Sequence, residues 1–182
     1  MRGWDGKHEP LVNRIGQVIE AEQSKSIKIT RKGTKNDLSV DRKAVNSKEY
    51  REYFDSLPVN KNVADALHKE AIRILEHRDG TEFETLSILD ARTGRLVVSS
   101  TCDLKLKSRL TDDEMKIFND HEGKVILIHN HPQGGRLSHT DLITAIKSEK
   151  TMGVMTVGHD GYVGYAKIIK HDKDIADKWE AW

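Results

Sequence analysis

Apolar residues at helical spacing predict most of the helices of this chain. One face of a predicted helix over residues 63–77 is apolar at every fourth position, with Val63, Leu67, Ala71 and Leu75. The same periodicity, helped in one case by a capping-box pattern at Thr111, predicts further helices. These cover residues 10–23, 50–57, 111–123 and 141–150.

Short runs of apolar or alternating residues between these helices predict strands. Residues 82–89 and 95–100 should form a hairpin, because a turn sequence ending in Gly94 separates them. Residues 125–128 are wholly apolar, which is typical of a buried central strand. Two more strands are expected over residues 154–157 and 162–169. This order of elements predicts an α/β fold in which helices flank a mixed β-sheet.

The two ends of the chain are predicted to flank a central domain of residues 46–170. Residues 1–45 should be an N-terminal extension that contacts a partner or packs on the domain, and residues 171–182 a C-terminal docking helix. Five Lys and Arg residues lie between positions 25 and 35 with no acidic residue among them. A solvated edge hairpin explains this basic run better than a nucleic-acid site, because no aromatic residues are interleaved.

Composition narrows the class of protein. A chain of 182 residues suits one domain, and a formal net charge of +1 argues against strong overall attraction to nucleic acid. No apolar stretch approaches the length of a membrane span, and the first residues lack the apolar core of a signal peptide. Cys102 is the only cysteine, so no internal disulfide can form. Together these features predict a cytoplasmic protein without a membrane partner.

The residues that best indicate chemistry follow the buried strand. His129 and His131 are one residue apart and lead into Pro132, so an extended chain points both imidazoles the same way. After a Gly-rich turn, Asp141 lies in the first turn of a helix predicted to begin at Ser138. Two His and one carboxylate can give a zinc ion three protein ligands and leave a fourth position open.

Each part of this pattern also has a structural explanation. A buried core His is commoner than a metal ligand, and Ser138 followed by Asp141 is a good helix cap with a favourable dipole interaction. The combination is more specific, because a helix start does not require His-x-His-Pro immediately upstream. Cys102 beside Asp103 would suit a cysteine hydrolase, but no helix start or neighbouring base marks it for activation.

The sequence His129-x-His131-Pro132, followed after five residues by Ser138-x-x-Asp141, resembles the signature of the JAMM (MPN+, JAB) zinc metalloproteases. The resemblance covers roughly residues 60–170. The Asn between the two His is similar to the bacterial RadC-like branch and to JAMM domains attached to phage head proteins. The five-residue gap is shorter than in eukaryotic members, which changes the rim of the site and leaves substrate specificity open.

The resemblance implies a cytidine-deaminase-like fold and a specific set of roles. His129, His131 and Asp141 would hold Zn²⁺, an upstream glutamate would be the general base, and Ser138 would bind the oxyanion. Glu82 and Glu84 compete for the role of base, because both lie on one face of the predicted strand. We favour Glu84, which fits the family pattern Glu-x-x-small-x-Leu and lies deeper in the strand, whereas Glu82 fits the RadC-like pattern.

The function implied by the resemblance is zinc-dependent hydrolysis of a peptide or isopeptide bond in a protein or peptide substrate. One alternative is a RadC-like, DNA-associated protein, for which the basic run of residues 25–35 is the only local support. The other is a phage-head or assembly module whose metal site is vestigial. An intact ligand set with Glu and Ser argues against the vestigial site.

Overall fold

The computed structural model describes residues 19–22, 38–100, 102–105 and 108–172, together with Asp174 and Asp177. The predicted basic hairpin lies outside these residues, as do most of the predicted helices at the two ends of the chain. None of the helices in the described part of the chain is both long enough and apolar enough to cross a membrane.

Polar side chains define where the helices begin. The described residues contain α1 (Arg42–Val45), α2 (Lys48–Asp55), α3 (Lys61–Arg78), α4 (Asp112–Asp120) and α5 (His139–Lys147). In each case the residue before the helix accepts a hydrogen bond from a backbone N–H of the first turn. These capping residues are Asp41, Ser47, Asn60, Thr111 and Ser138.

One mixed sheet organises the described residues. Its strands are β1 (Ile19–Glu22), β2 (Leu86–Asp90), β3 (Leu96–Ser99), β4 (Val125–His131), β5 (Thr151–Gly158) and β6 (Val163–Ile168). They lie in the order β1-β6-β5-β4-β2-β3, with β4 and β5 parallel and all other neighbours antiparallel. The predicted α/β fold with a mixed sheet flanked by helices is confirmed.

Hydrophobic cores lie on both faces of the sheet, and β4 contributes to both. Ile126 and Ile128 pack in a core with α2 and α3. Val125 and Leu127 point to the opposite face and pack in a second core with α5. By the same alternation His129 and His131 belong to the α5 face, whereas Asn130 belongs to the α3 face.

The structure corrects two of the predicted elements. Ile19–Glu22, predicted as the end of a helix over residues 10–23, form β1 and pair antiparallel with β6. The helical spacing of apolar residues does not decide the conformation here, because pairing with β6 satisfies backbone N–H and C=O groups at the edge of the sheet. The strand predicted from Glu82 begins only at Leu86; before it, Phe83 makes one isolated bridge to Lys105.

Part of the predicted N-terminal extension belongs to the packed structure. Val40 and Val45 lie in the core on the α3 face of the sheet, and β1 extends the sheet beyond β6. These contacts agree with an extension that packs on the domain. The boundary at residue 45 and the docking helix over residues 171–182 stay predictions.

Candidate metal centre

The last residues of β4 hold both candidate His ligands. His129 pairs with Leu86 of β2 on one side and with Thr156 of β5 on the other, and His131 pairs with Gly158. Hydrogen bonding on both sides fixes the backbone of the strand. The two rings lie on one face with their Nε2 atoms 3.0 Å apart, as expected for alternate residues of a strand.

Asp141 reaches the two imidazoles from the start of α5. Ser138 and Asp141 form a reciprocal capping box: Ser138 N donates to Asp141 Oδ2 at 2.6 Å, and Asp141 N donates to Ser138 Oγ at 3.2 Å. Oδ1 of the same carboxylate lies 3.2 Å from His129 Nε2, and Oδ2 lies 3.5 Å from His131 Nε2. The three predicted ligand residues therefore converge, and the cap positions the carboxylate.

The spacing of these donor atoms suits a metal ion. A tetrahedral ion with bonds of about 2.0 Å separates neighbouring ligand atoms by about 3.3 Å. The two Nε2 atoms are 3.0 Å apart here, and each lies near one carboxylate oxygen of Asp141, Oδ1 at 3.2 Å from His129 and Oδ2 at 3.5 Å from His131. His129, His131 and Asp141 can hold a metal ion, and no other group of three such side chains converges in the described part of the chain.

The charge of the Asp141 carboxylate favours a cation. Burial by itself would raise the pKa of Asp141, but hydrogen bonds from His129 and His131 hold the pKa of that carboxyl well below its usual range. Burial also opposes the charged form of His131, yet the hydrogen bond and negative charge of Asp141 raise the pKa of that imidazole. Asp141 is therefore ionised, which is the form that binds a cation.

The two candidate glutamates have different environments. Glu84 is 8% exposed and lines the same pocket as the two His. Burial raises the pKa of Glu84, and the neighbouring His129 and His131 oppose that shift. Glu82 instead forms an ion pair with Lys105 at 2.7 Å, and its side chain is 45% exposed. The favoured glutamate thus lies beside the ligand group, and its competitor lies at the surface.

The ligand group opens into a pocket of about 510 Å³ between the sheet and the loop before α5. Leu86, Leu127 and Val154 give it an apolar wall, and no Lys or Arg is among the residues that line it in the described structure. Ser138 lies on the rim. Its Oγ accepts the helix-capping hydrogen bond, so the hydroxyl proton can be donated to a bound molecule.

A second group of buried polar residues, not predicted from the sequence, lies behind the site. Asn130 and His159 are fully buried and hydrogen-bonded to each other, and His159 lies between the two strands predicted over residues 154–157 and 162–169. Arg78 is also buried, and its Nε donates to Thr85 Oγ1 at 2.7 Å. The one signal in the sequence was the position of Asn130, which alternation places on the same face of β4 as Ile126 and Ile128.

Comparison of the chain with protein-family models, with curated proteins and with solved structures gives no match in any of the three.

Proposed function

We propose that the protein is a zinc-dependent hydrolase of the JAMM type that cleaves a peptide or isopeptide bond in a protein or peptide substrate. The convergence of His129, His131 and Asp141 beside a buried carboxyl group, Glu84, carries the proposal. Two imidazole nitrogens and a carboxylate suit Zn²⁺ and leave a fourth position open. The spacing of the His-x-His-Pro and Ser-x-x-Asp sequences supports the same assignment.

Each side chain has a defined part in the proposed reaction. Bound at this site, Zn²⁺ would supply a Lewis acid that polarises the scissile carbonyl and acidifies a water molecule. A carboxylate oxygen of Glu84 takes the proton of the attacking water and passes it to the leaving amine as the C–N bond breaks. The Ser138 hydroxyl donates a hydrogen bond to the carbonyl oxygen as negative charge develops there.

The lining of the pocket favours an amide substrate over a nucleic acid. Phosphate recognition usually requires Arg, Lys or a cluster of backbone N–H groups. The pocket carries two carboxyl groups, from Glu84 and Asp141, and no Lys or Arg among its described lining residues. Its wall of Leu86, Leu127 and Val154 suits an apolar side chain next to the scissile bond.

Matched glutamate variants test this function. Zinc-loaded protein is incubated with a pool of peptides and isopeptide-linked conjugates, and products are measured with and without a chelator. The wild type should cleave in a chelator-sensitive way. Glu84→Gln should keep its zinc and lose activity by about a hundredfold or more, because a general base contributes on that order. Glu82→Gln, two residues away and paired with Lys105, is the control and should remain active.

Other outcomes would change the assignment in defined ways. Loss of activity in Glu82→Gln but not in Glu84→Gln would keep the enzyme and move the base. A zinc-loaded wild type that cleaves nothing would favour an assembly module. DNA binding without cleavage, abolished by neutralising the basic residues from Lys25 to Lys35, would favour the RadC-like alternative.

A further inference from the structure

We propose that Asn130, held in one orientation by His159, positions Glu84 against the metal-ligand group. The inference rests on the proposed function, in which Glu84 is the general base. In that case Asn130 and His159 are positioning residues that touch neither metal nor substrate.

Glu84 needs such support because it precedes the regular part of the sheet. β2 begins at Leu86, so the pairing of β2 with β4 does not fix the backbone at Glu84. The hydrogen bond from Glu84 N to Leu104 O is 3.3 Å long. Besides this bond and the isolated bridge of Phe83 to Lys105, a side chain that binds the peptides on both sides of Glu84 adds to the support of its backbone.

Asn130 holds both peptide groups that flank Glu84. Thr85 N donates to Asn130 Oδ1 at 2.8 Å, and Asn130 Nδ2 donates to Phe83 O at 3.1 Å. One side chain thereby fixes the peptide before Glu84 and the peptide after it. We call these two contacts the Asn130 clamp.

The partners of the clamp determine its hydrogen positions. A backbone N–H can only donate and a backbone carbonyl can only accept, so Thr85 and Phe83 fix which end of the amide is oxygen. The second amide hydrogen then faces His159 Nε2 at 3.1 Å, and this nitrogen must accept. His159 Nδ1 donates to Leu38 O at 2.6 Å, so the imidazole is held on both sides of its ring.

The clamp also connects the base to the ligands through one strand. Asn130 lies between His129 and His131, and alternation sends its side chain to the opposite face of β4 from theirs. The same three residues therefore present two ligands on one face and hold the backbone of Glu84 from the other. Because Asn130 is fully buried, water cannot replace its contacts without rearrangement of the core.

Local exchange and kinetics test the clamp with three variants and a control. Asn130→Ala removes the clamp. His159→Leu removes the hydrogen-bond partner of the Asn130 side-chain amide. His159→Gln keeps one donor and one acceptor on a side chain of similar reach. The control is Asn60→Ala, because Asn60 also bridges two backbone groups, Val63 N and Arg92 O, and is not among the residues that line the pocket. Zinc content, hydrogen exchange at the Thr85 amide, kcat and KM are measured for each.

Asn130→Ala and His159→Leu should retain zinc, because all three ligands remain. Exchange at the Thr85 amide should accelerate by about tenfold or more beyond any change at amides of α3. With a substrate found in the peptide and conjugate pool, kcat should fall about tenfold to a hundredfold with KM little changed, because the base is misplaced while the groups that bind substrate are unaltered. His159→Gln should retain most of kcat, and Asn60→Ala all of it.

The results separate this inference from the proposed function. If the Thr85 amide of zinc-loaded Asn130→Ala exchanges its hydrogen at the wild-type rate, the clamp is wrong, whatever the activity. If that variant does not fold, a wild-type exchange rate in His159→Leu leads to the same conclusion. Accelerated exchange in a protein whose wild type cleaves nothing would support the clamp and contradict the hydrolase. If the wild type is active, the double variant Asn130→Ala/Glu84→Gln gives a further test. If Asn130→Ala lowers kcat as much in the Glu84→Gln background as in the wild type, Asn130 does not act through Glu84.

Discussion

Asp141 shows how one side chain can serve the fold and the site together. Its carboxylate accepts the hydrogen bond that begins α5 and also faces the Nε2 atoms of His129 and His131. The capping interaction restricts the rotamer of Asp141 before any ion binds. Little ordering of this ligand is then required on metal binding, which favours affinity.

Metal content should depend on the ligand His residues specifically. His131→Ala removes one of three protein donors and should abolish stoichiometric zinc in the purified protein. His77→Ala is the control, because His77 is exposed on α3 and outside the ligand group. Elemental analysis of both variants after mild purification gives the result. Full zinc occupancy in His131→Ala would remove that residue from the ligand set.

Two substitutions of Ser138 should separate capping from catalysis. Ser138→Ala removes a helix cap and should lower the free energy of unfolding by about 1 kcal/mol, whereas Ser138→Gly should lower it by only a few tenths. Both remove the hydroxyl, so both should lose activity to a similar degree, roughly a hundredfold. Denaturant unfolding and initial rates measure the two effects. Near wild-type activity in Ser138→Gly would limit Ser138 to its capping role.

The residues of the site differ in how far sequence alone can place them. The relative positions of His129 and His131 follow from strand alternation, and that of Asp141 follows from its place in the helix cap. Strand alternation and helix capping, which are local properties of the chain, were enough to place these three residues. His159 contacts Leu38, which lies 121 residues away in the chain, so no local pattern contains that contact.

The same distinction applies to whole elements. α3 was predicted close to its observed limits and β4 at its observed start, because long periodicity and an apolar run are properties of the segments themselves. β1 was predicted as part of a helix because its conformation depends on β6, nearly 150 residues further along the chain. Glu82–Thr85 resemble a strand in composition. Their backbone groups, however, bind the Asn130 side chain of β4 where a regular strand would pair with the β4 backbone.

Removal of β1 should expose an unpaired edge of the sheet. β6 pairs with β5 on one side and with β1 on the other, so a protein lacking residues 1–37 has a free backbone edge at β6. Such edges promote association with other chains. Light scattering at several concentrations should show more self-association for this protein than for one lacking only residues 1–18, which keeps β1. Equal behaviour of the two truncations would mean that β1 does not protect the edge.

At the scale of the whole molecule, the candidate site is built on elements that pack without it. The ligands lie at the end of β4 and the start of α5, and both elements are anchored by hydrophobic cores away from the donor atoms. A metal ion is therefore expected to stabilise a fold that already exists, unlike a structural zinc whose removal unfolds its domain.

Zinc should raise the thermal unfolding midpoint by mass action alone. A free zinc concentration one hundred times the dissociation constant adds about 2.7 kcal/mol to the free energy of unfolding. Chelation should lower the midpoint and leave the far-ultraviolet circular dichroism at room temperature unchanged. His131→Ala should show no midpoint shift with zinc. Loss of secondary structure on chelation would instead identify a structural ion.

The parallel pairing of β4 with β5 has a consequence for the protein during its synthesis. β2 precedes β4 in the chain, but β5 and His159 follow it. A nascent chain that stops after Asp141 therefore contains every proposed ligand and still lacks the strand that pairs with one side of β4, as well as the partner of Asn130. We expect such a chain to lack the proposed activity until β5 pairs with β4.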